Sequence, residues 1–276
     1  MDTIPNKTVI HVWTHNFINK EGINTFGLGD LVRGTIGVLQ YCEKNKYTCI
    51  IDISLHPVSE YFIVNKHKYS KLIEENKNAI QYIFPDKIDS FIQSELNHKD
   101  VVFFFSNCWL DIYDTKLSPY NRLIIDDLLT PNDSFLKYIN QISTTIPSSD
   151  FSILHFRLGD SELIQHKDTA NYTHCIDILN DIINTDKSLI LVSDSDKLKS
   201  LIKETDIPVF MFNKPIAHIG YHTEQIEHTL FEFMLLKRAK TIYTYSVYYW
   251  TSGFVKIIGY LYDIQIINLY NGKRDI

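Results

Sequence analysis

His155, Arg157, Gly159 and Asp160 fall within six residues, directly after the apolar run Phe151 to Leu154. A buried strand ending this way sets polar chemistry at its carboxyl end, where open α/β sheets bind their ligands. The Arg157 guanidinium is a planar fork of donors suited to phosphate, and His155 can donate or accept a hydrogen bond. Gly159 lets the backbone turn closely past a ligand. The pattern asks for an anionic ligand, and the plain alternative is a surface pair between Arg157 and an aspartate at a strand end.

Three further stretches place chemistry where strands end. Val192-Ser193-Asp194-Ser195-Asp196 closes a strand and opens a helix, so one aspartate is expected to cap that helix while the other takes ribose hydroxyls or base donors. Thr244-Tyr245-Ser246 runs into Tyr248-Tyr249-Trp250 between a strand and a helix, where free amides and a positive dipole end favour phosphate. Phe26-Gly27-Leu28-Gly29-Asp30 is a glycine-rich turn ahead of a helical pattern, with Asp30 as an N-cap candidate. It is not a complete GxGxxG, and a structural tight turn accounts for it equally well. On the helix around residues 224–238, Ile226, Leu230, Phe233 and Leu236 mark one core face, which leaves Glu227 and His228 on a solvated face. Trp109 and Asp111 follow an apolar strand and read as a packed Trp beside a surface Asp.

The elements that must position these residues alternate along the chain. Val9 to Trp13, Thr48 to Ser54 and Val101 to Ser106 read as buried strands, and the run beginning at Asp30 and the segments around Ser70 to Phe84 and Ser90 to Asn97 read as helical. Asn121 to Ile146 reads as mainly helical, interrupted by Pro131. Beyond it, strands are expected at 151–156, 189–193, 208–212, 241–244 and 264–268, separated by helices at 173–183, 197–204, 224–238 and 248–260. Near-continuous apolar strands alternating with helices predict doubly wound parallel sheets. Ile146-Pro147-Ser148-Ser149-Asp150 is the expected linker, giving an N-terminal Rossmann-like domain over 1–147 and a C-terminal one over 148–276.

Composition narrows the classes further. With 276 residues, 45% hydrophobic and 22% charged, the chain can bury a large core. A net charge of -6 argues against a general nucleic-acid binder. Cys42, Cys49, Cys108 and Cys175 show no CxxC pairing, so no zinc ribbon or disulfide framework is expected and no metal site is assigned. No basic and apolar leader and no membrane-length run is evident, so a cytoplasmic protein without a transmembrane segment is expected. The sequons at Asn6, Asn132 and Asn171 are then chance matches.

The order of these pieces carries a resemblance. His155-Phe156-Arg157-Leu158-Gly159-Asp160 resembles the His-x-Arg-x-Gly-Asp motif of the α1,2- and α1,6-fucosyltransferase and protein O-fucosyltransferase superfamily. Ser193-Asp194 is similar to its second motif, and Phe233 through Lys240 to Trp250 and Gly253 to its third. The loop Phe26 to Asp30 resembles the glycine-rich N-terminal loop of these enzymes. The sequence departs from the family pattern at Leu158, where many relatives carry a second basic residue, at Asp30, often Asn or Gln, and at Tyr245-Ser246, usually Ser-Ser.

The resemblance implies an α/β, GT-B-like fold, with two facing Rossmann-like domains, parallel sheets and an interdomain cleft. It implies inverting, metal-independent sugar transfer from a nucleotide-sugar donor, GDP-fucose first, to a glycan, glycolipid or glycoprotein hydroxyl. The N-terminal domain would be the acceptor side and the C-terminal domain the donor side. Arg157 would hold the diphosphate, His155 would help position the donor, Asp194 would contact the nucleoside and Ser246 the phosphate. Gly29, Ser193 and Thr244 complete the donor-binding set, and no cofactor beyond the donor is expected. Asp30 is the candidate base, with Glu162 behind it. A UDP-sugar donor and a non-catalytic nucleotide- or carbohydrate-binding module remain the alternatives.

Overall fold

The structure, a computed structural model, describes residues 7–14, 27–107, 115–159, 170–214, 216–219, 226–248 and 251–269. Glu162, Asp160, Trp109, Asp111, Tyr249 and Trp250 lie outside the described residues. The chain forms two compact units, Met1–Leu136 and Lys137–Ile276. The division falls inside a helix, Asp133–Ser143, rather than at the Pro147 linker read from the sequence.

In the first unit, β1 (Thr8–Thr14), β2 (Thr48–Leu55) and β3 (Val101–Phe104) pair in parallel in the order β2-β1-β3. Every residue of β1 is buried, which is why its sequence reads as an apolar run broken by a single histidine. Helix α1 (Leu28–Asn45) follows, then α2 (Ser70–Glu75), α3 (Ile88–Leu96), α4 (Pro119–Leu128) and α5 (Asp133–Ser143), the last running across the division. Val38, Cys42, Ile88, Ile92 and Leu96 close one face of the sheet over Val9, Val102 and Phe104. At the C-terminal end of α1, Lys46 adopts a left-handed φ of 59°, and its backbone N–H returns to the carbonyls of the last turn.

Asp30 does not cap α1. Gly27 stands at the N-cap, and Asp30, three residues on, reaches back to accept from the Gly27 N–H at 3.3 Å. An extended residue without a side chain leaves the cap's own amide available, and the third helical residue is the one whose carboxylate can reach it. Deeper in α1, Gly34 lies against the end of β3. A Cβ placed there would sit 2.1 Å from the Ser106 carbonyl oxygen and 2.9 Å from the Asn107 Cα.

In the second unit, β4 (Ser152–Arg157), β5 (Leu189–Ser193), β6 (Phe210–Met211), β7 (Thr241–Ser246) and β8 (Gln265–Asn268) form a parallel sheet in the order β6-β5-β4-β7-β8. The helices are α6 (Tyr172–Thr185), α7 (Asp196–Lys203), α8 (Glu227–Leu236) and α9 (Gly253–Tyr262). Ile178, Leu179 and Ile182 of α6 pack on Leu154, Phe156 and Leu191, each worth roughly 2 kcal/mol of burial.

Two expectations for this unit are corrected. The cap of α7 is Ser195, which accepts from the Leu198 N–H at 3.0 Å; neither Asp194 nor Asp196 fills that role. Glu227, the first residue of α8, is exposed as expected, but His228 is not, since every residue from His228 to Leu236 is buried. The polar residues His228 and Glu232 are enclosed with the apolar ones, so the helical spacing of Ile226, Leu230, Phe233 and Leu236 described only part of what this helix buries.

Candidate functional site

Strand β4 occupies the centre of the second sheet, with β5 on one side and β7 on the other. Crossovers leave it in opposite directions, which makes its carboxyl end a topological switch point. The register brings the expected residues together: Phe156 lies opposite Ser193, His155 opposite Thr244, and Arg157 opposite Ser246.

Asp194 organises this end of the sheet. Its carboxylate pairs with the Arg157 guanidinium and accepts the Leu158 N–H at 2.7 Å and the Gly159 N–H at 3.2 Å. The Asp194 side chain is 8% exposed and that of Arg157 is 20% exposed. The pair read from the sequence joined Arg157 to the aspartate of its own motif, Asp160, which lies outside the described residues; the partner in the structure is Asp194, 37 residues away at the end of the neighbouring strand. Gly159 turns with φ of 106°, a conformation that side chains resist, and a Cβ there would meet the Tyr248 hydroxyl at 3.0 Å.

The other donor-site candidates are each engaged by the backbone or by a neighbour. Ser193 Oγ accepts from the Ser195 N–H at 3.1 Å, and Ser246 Oγ accepts from the Tyr248 N–H at 3.2 Å. The Val247 N–H donates to the Arg157 carbonyl at 3.0 Å, which fixes the exit of β7 to that of β4. His155 is buried, with Nδ1 3.3 Å from Thr244 Oγ1 and its ring stacked on Phe254. Burial pushes the His155 imidazole down to about 4, against a smaller upward pull from the Asp194 carboxylate. At neutral pH it is therefore a hydrogen-bonding group and not a second cation beside Arg157.

In the first unit Asp30 is bound to Arg33 at 2.5 Å, one helical turn before the Gly34 contact, and its side chain is 32% exposed. Gly29, its neighbour, is buried in the first turn of α1. Two groups of residues were not recognised as groups from the sequence, although the second includes His228. At the end of β1, Trp13 Nε1 donates to Thr35 Oγ1 at 2.8 Å, Thr35 lies 3.3 Å from His11 Nδ1, and His11 Nε2 lies 2.8 Å from the Ser106 carbonyl. Burial lowers the His11 imidazole to about 4. The signal was a lone histidine inside an otherwise apolar strand.

The second group is in the second unit, where Lys199 Nζ and His228 Nε2 stand 3.6 Å and 3.4 Å from Glu232 Oε1. All three residues are buried, and these atoms make no hydrogen bond. Glu232 and His228 one turn apart were visible as a spacing, whereas Lys199 joins them only through the tertiary fold. Among the described residues no group of three His, Cys, Asp or Glu residues is arranged to hold a metal ion, and no helix is long and apolar enough to cross a membrane.

The fold these units define is that of solved α/β fucosyltransferases. The fucosyltransferase NodZ from Bradyrhizobium superposes with a TM-score of 0.57 at 17% identity, covering 96% of this chain and 95% of that one. POFUT1 in complex with GDP gives a TM-score of 0.53 at 13% identity, covering 98% and 100%. An Arabidopsis thaliana FUT1 variant in complex with GDP gives 0.54 at 12% identity, covering 97% and 71%. No protein-family model and no curated protein sequence matches the chain.

Proposed function

We propose that this protein is a nucleotide-sugar-dependent glycosyltransferase that moves fucose from GDP-fucose to a hydroxyl of a glycan, glycolipid or glycoprotein. The observation that carries the reading is the guanidinium of Arg157, set by Asp194 at the switch point of a parallel sheet, in a fold shared with a fucosyltransferase solved after soaking with GDP-fucose. The second unit is read as the donor side and the first as the acceptor side.

In the proposed reaction the acceptor oxygen bonds to the anomeric carbon as the bond from that carbon to the diphosphate breaks, with inversion. The hydroxyl proton passes to a base, for which Asp30 is the candidate, and GDP departs carrying the electron pair. Charge gathers on the leaving diphosphate in the transition state, so a cation aimed there stabilises that state more than the ground state. Arg157 fills this role in the proposal, the N-terminal amides of α9 add to it, and neutral His155 serves to orient. Because the guanidinium offsets the leaving charge, transfer is proposed to proceed without a metal. The cytoplasm is the proposed compartment, in keeping with cysteines that show no CxxC spacing in the sequence.

Calorimetric titration with GDP, UDP and ADP, without metal and again with magnesium or manganese, tests the reading. Metal-free preference for GDP that is lost in a folded Arg157→Ala protein is the expected result, with turnover reduced by about a hundredfold or more. Tighter UDP binding would move the donor to a UDP-sugar. Nucleotide binding without turnover on a broad acceptor panel would make the chain a binding module, and no nucleotide binding would overturn the proposal.

A further inference from the structure

Phe84 is 58% exposed, yet it is held rigidly. Residues 81–83 run parallel to the extension of β3: Phe105 N–H donates to the Gln81 carbonyl at 3.0 Å, and Ile83 N–H donates to the Phe105 carbonyl at 2.9 Å. Strand alternation then sends Ile83 into the core and Tyr82 and Phe84 to the opposite side. Three aromatic rings form a ladder from the interior outward. Buried Phe105 lies 5.7 Å from Tyr82, and Tyr82 meets Phe84 edge-on at 5.1 Å. Pro85 follows at the start of the one-turn helix Pro85–Lys87, so the backbone beside the exposed ring is fixed as well.

Polar groups surround this ring. The Tyr82 hydroxyl donates to Asn107 Oδ1 at 2.6 Å, and Lys87 Nζ stands 6.0 Å from the Phe84 ring centre. Asn107 is the residue whose Cα closes on Gly34, and Asp30 stands one turn before Gly34 on the same side of α1. The Tyr82–Phe84 pair and Asp30 therefore border the same end of the first sheet, where β1 and β3 terminate.

We propose that Phe84, carried on Tyr82, is the surface on which the first unit takes a pyranose ring of the acceptor. This deepens the glycosyltransferase reading and rests on it. A pyranose presents an apolar C–H face with a rim of hydroxyls. A rigid aromatic face covers the first with little loss of side-chain entropy, and the half-buried Tyr82 phenol, held by the buried Asn107 amide, and the exposed Lys87 ammonium meet the second. The ammonium of Lys87 disfavours a cationic ligand at the same place. Phe84 acts on acceptor affinity and specificity and takes no part in bond making.

The test uses the full chain saturated with GDP, with lactose, cellobiose and chitobiose as probes followed by saturation-transfer NMR, and a GDP titration of each sample. The wild type is expected to transfer saturation to ring C–H protons of at least one disaccharide. Phe84→Ala is expected to weaken that binding about tenfold while leaving GDP affinity within twofold, and Phe84→Trp to restore it. Disaccharide affinity unchanged in Phe84→Ala, or no disaccharide bound by protein that binds GDP, would overturn the proposal. Phe84-dependent disaccharide binding in a protein without GDP affinity would support the platform and remove only the donor reading.

Discussion

Replacing Asp194 tests whether one carboxylate organises the end of β4. It accepts from the Arg157 guanidinium, the Leu158 N–H and the Gly159 N–H while being 8% exposed. Asp194→Ala leaves a cation and two amides without their acceptor. Removing one partner of a buried pair costs about 3–5 kcal/mol, and the partial exposure of Arg157 moves its share toward the lower end. The two orphaned amides add roughly 0.5 kcal/mol each, at the low end for a lost hydrogen bond, for a total of about 4 kcal/mol. Asp194→Asn keeps one carbonyl oxygen, which serves the Leu158 N–H bound at Oδ1 or the Gly159 N–H and Arg157 bound at Oδ2 but not both, and loses the charge, so about 1–2 kcal/mol is expected.

Urea unfolding near pH 7, followed by circular dichroism, reads both variants. With a slope of about 2 kcal/mol/M, the midpoint of the second unit falls by roughly 2 M for Ala and roughly 0.5–1 M for Asn. An Ala midpoint within 0.25 M of wild type, a threshold set at about one eighth of the expected shift, would refute the organising role. Equal losses for Asn and Ala would refute the part assigned to the amides.

Two further outcomes follow from the geometry. Gly34→Ala sets a methyl 2.1 Å from a backbone oxygen, so α1 must move off β3, and a loss of about 3 kcal/mol is expected in the thermal or urea unfolding of the first unit. His11 and His155 are each held near 4 when folded, against 6.5 for the free imidazole, so the unfolded chain takes up their protons first as the pH falls. Stability is therefore full above about pH 6.5 and declines toward pH 4, by roughly 3 kcal/mol per imidazole at the end of that window. Urea midpoints between pH 7.5 and 4.5 should flatten in His155→Gln, a range chosen to span roughly the titration window, and an unchanged slope would exclude the assignment.

The central strands β1, β4 and β5 were legible because burial on both faces leaves an apolar run that side-chain type alone reveals, whereas β2, read as buried, is an edge strand with only Asp52 and Ile53 buried. β5 falls at the expected residues, and β4 shifts by one to include Arg157. The residues at strand ends were legible for the same reason, since a run that stops at His-x-Arg or Ser-Asp announces where solvent begins. What each of them binds was not. The partner of Arg157 is set by which strands become neighbours, and the capping of α7 falls to Ser195 because that residue takes the extended backbone just before the helix, a choice that side-chain type leaves open in Ser-Asp-Ser-Asp. Asn132 and Asn171 show how a short pattern misleads: each accepts an N–H of the helix it precedes, at 2.9 Å from Phe135 and 3.1 Å from His174. The buried Lys199 and Glu232 left no trace, because charged residues on helices read as solvated faces until a neighbouring element covers them.

The burial of α8 from His228 to Leu236 also bears on how the chain reaches its native state. Its 10 residues include Leu230, Phe231, Phe233, Met234, Leu235 and Leu236, and their covering depends partly on a segment made later, α9, whose Phe254 meets Phe233 edge-on at 5.1 Å. During synthesis, a chain that pauses after residue 236 carries an apolar rod with nothing yet built to receive it. Such a segment is where chaperones bind and where aggregation starts. Truncations and slow-translation sites between residues 236 and 268 should accordingly be tolerated least well, whatever they do to the residues at the strand ends.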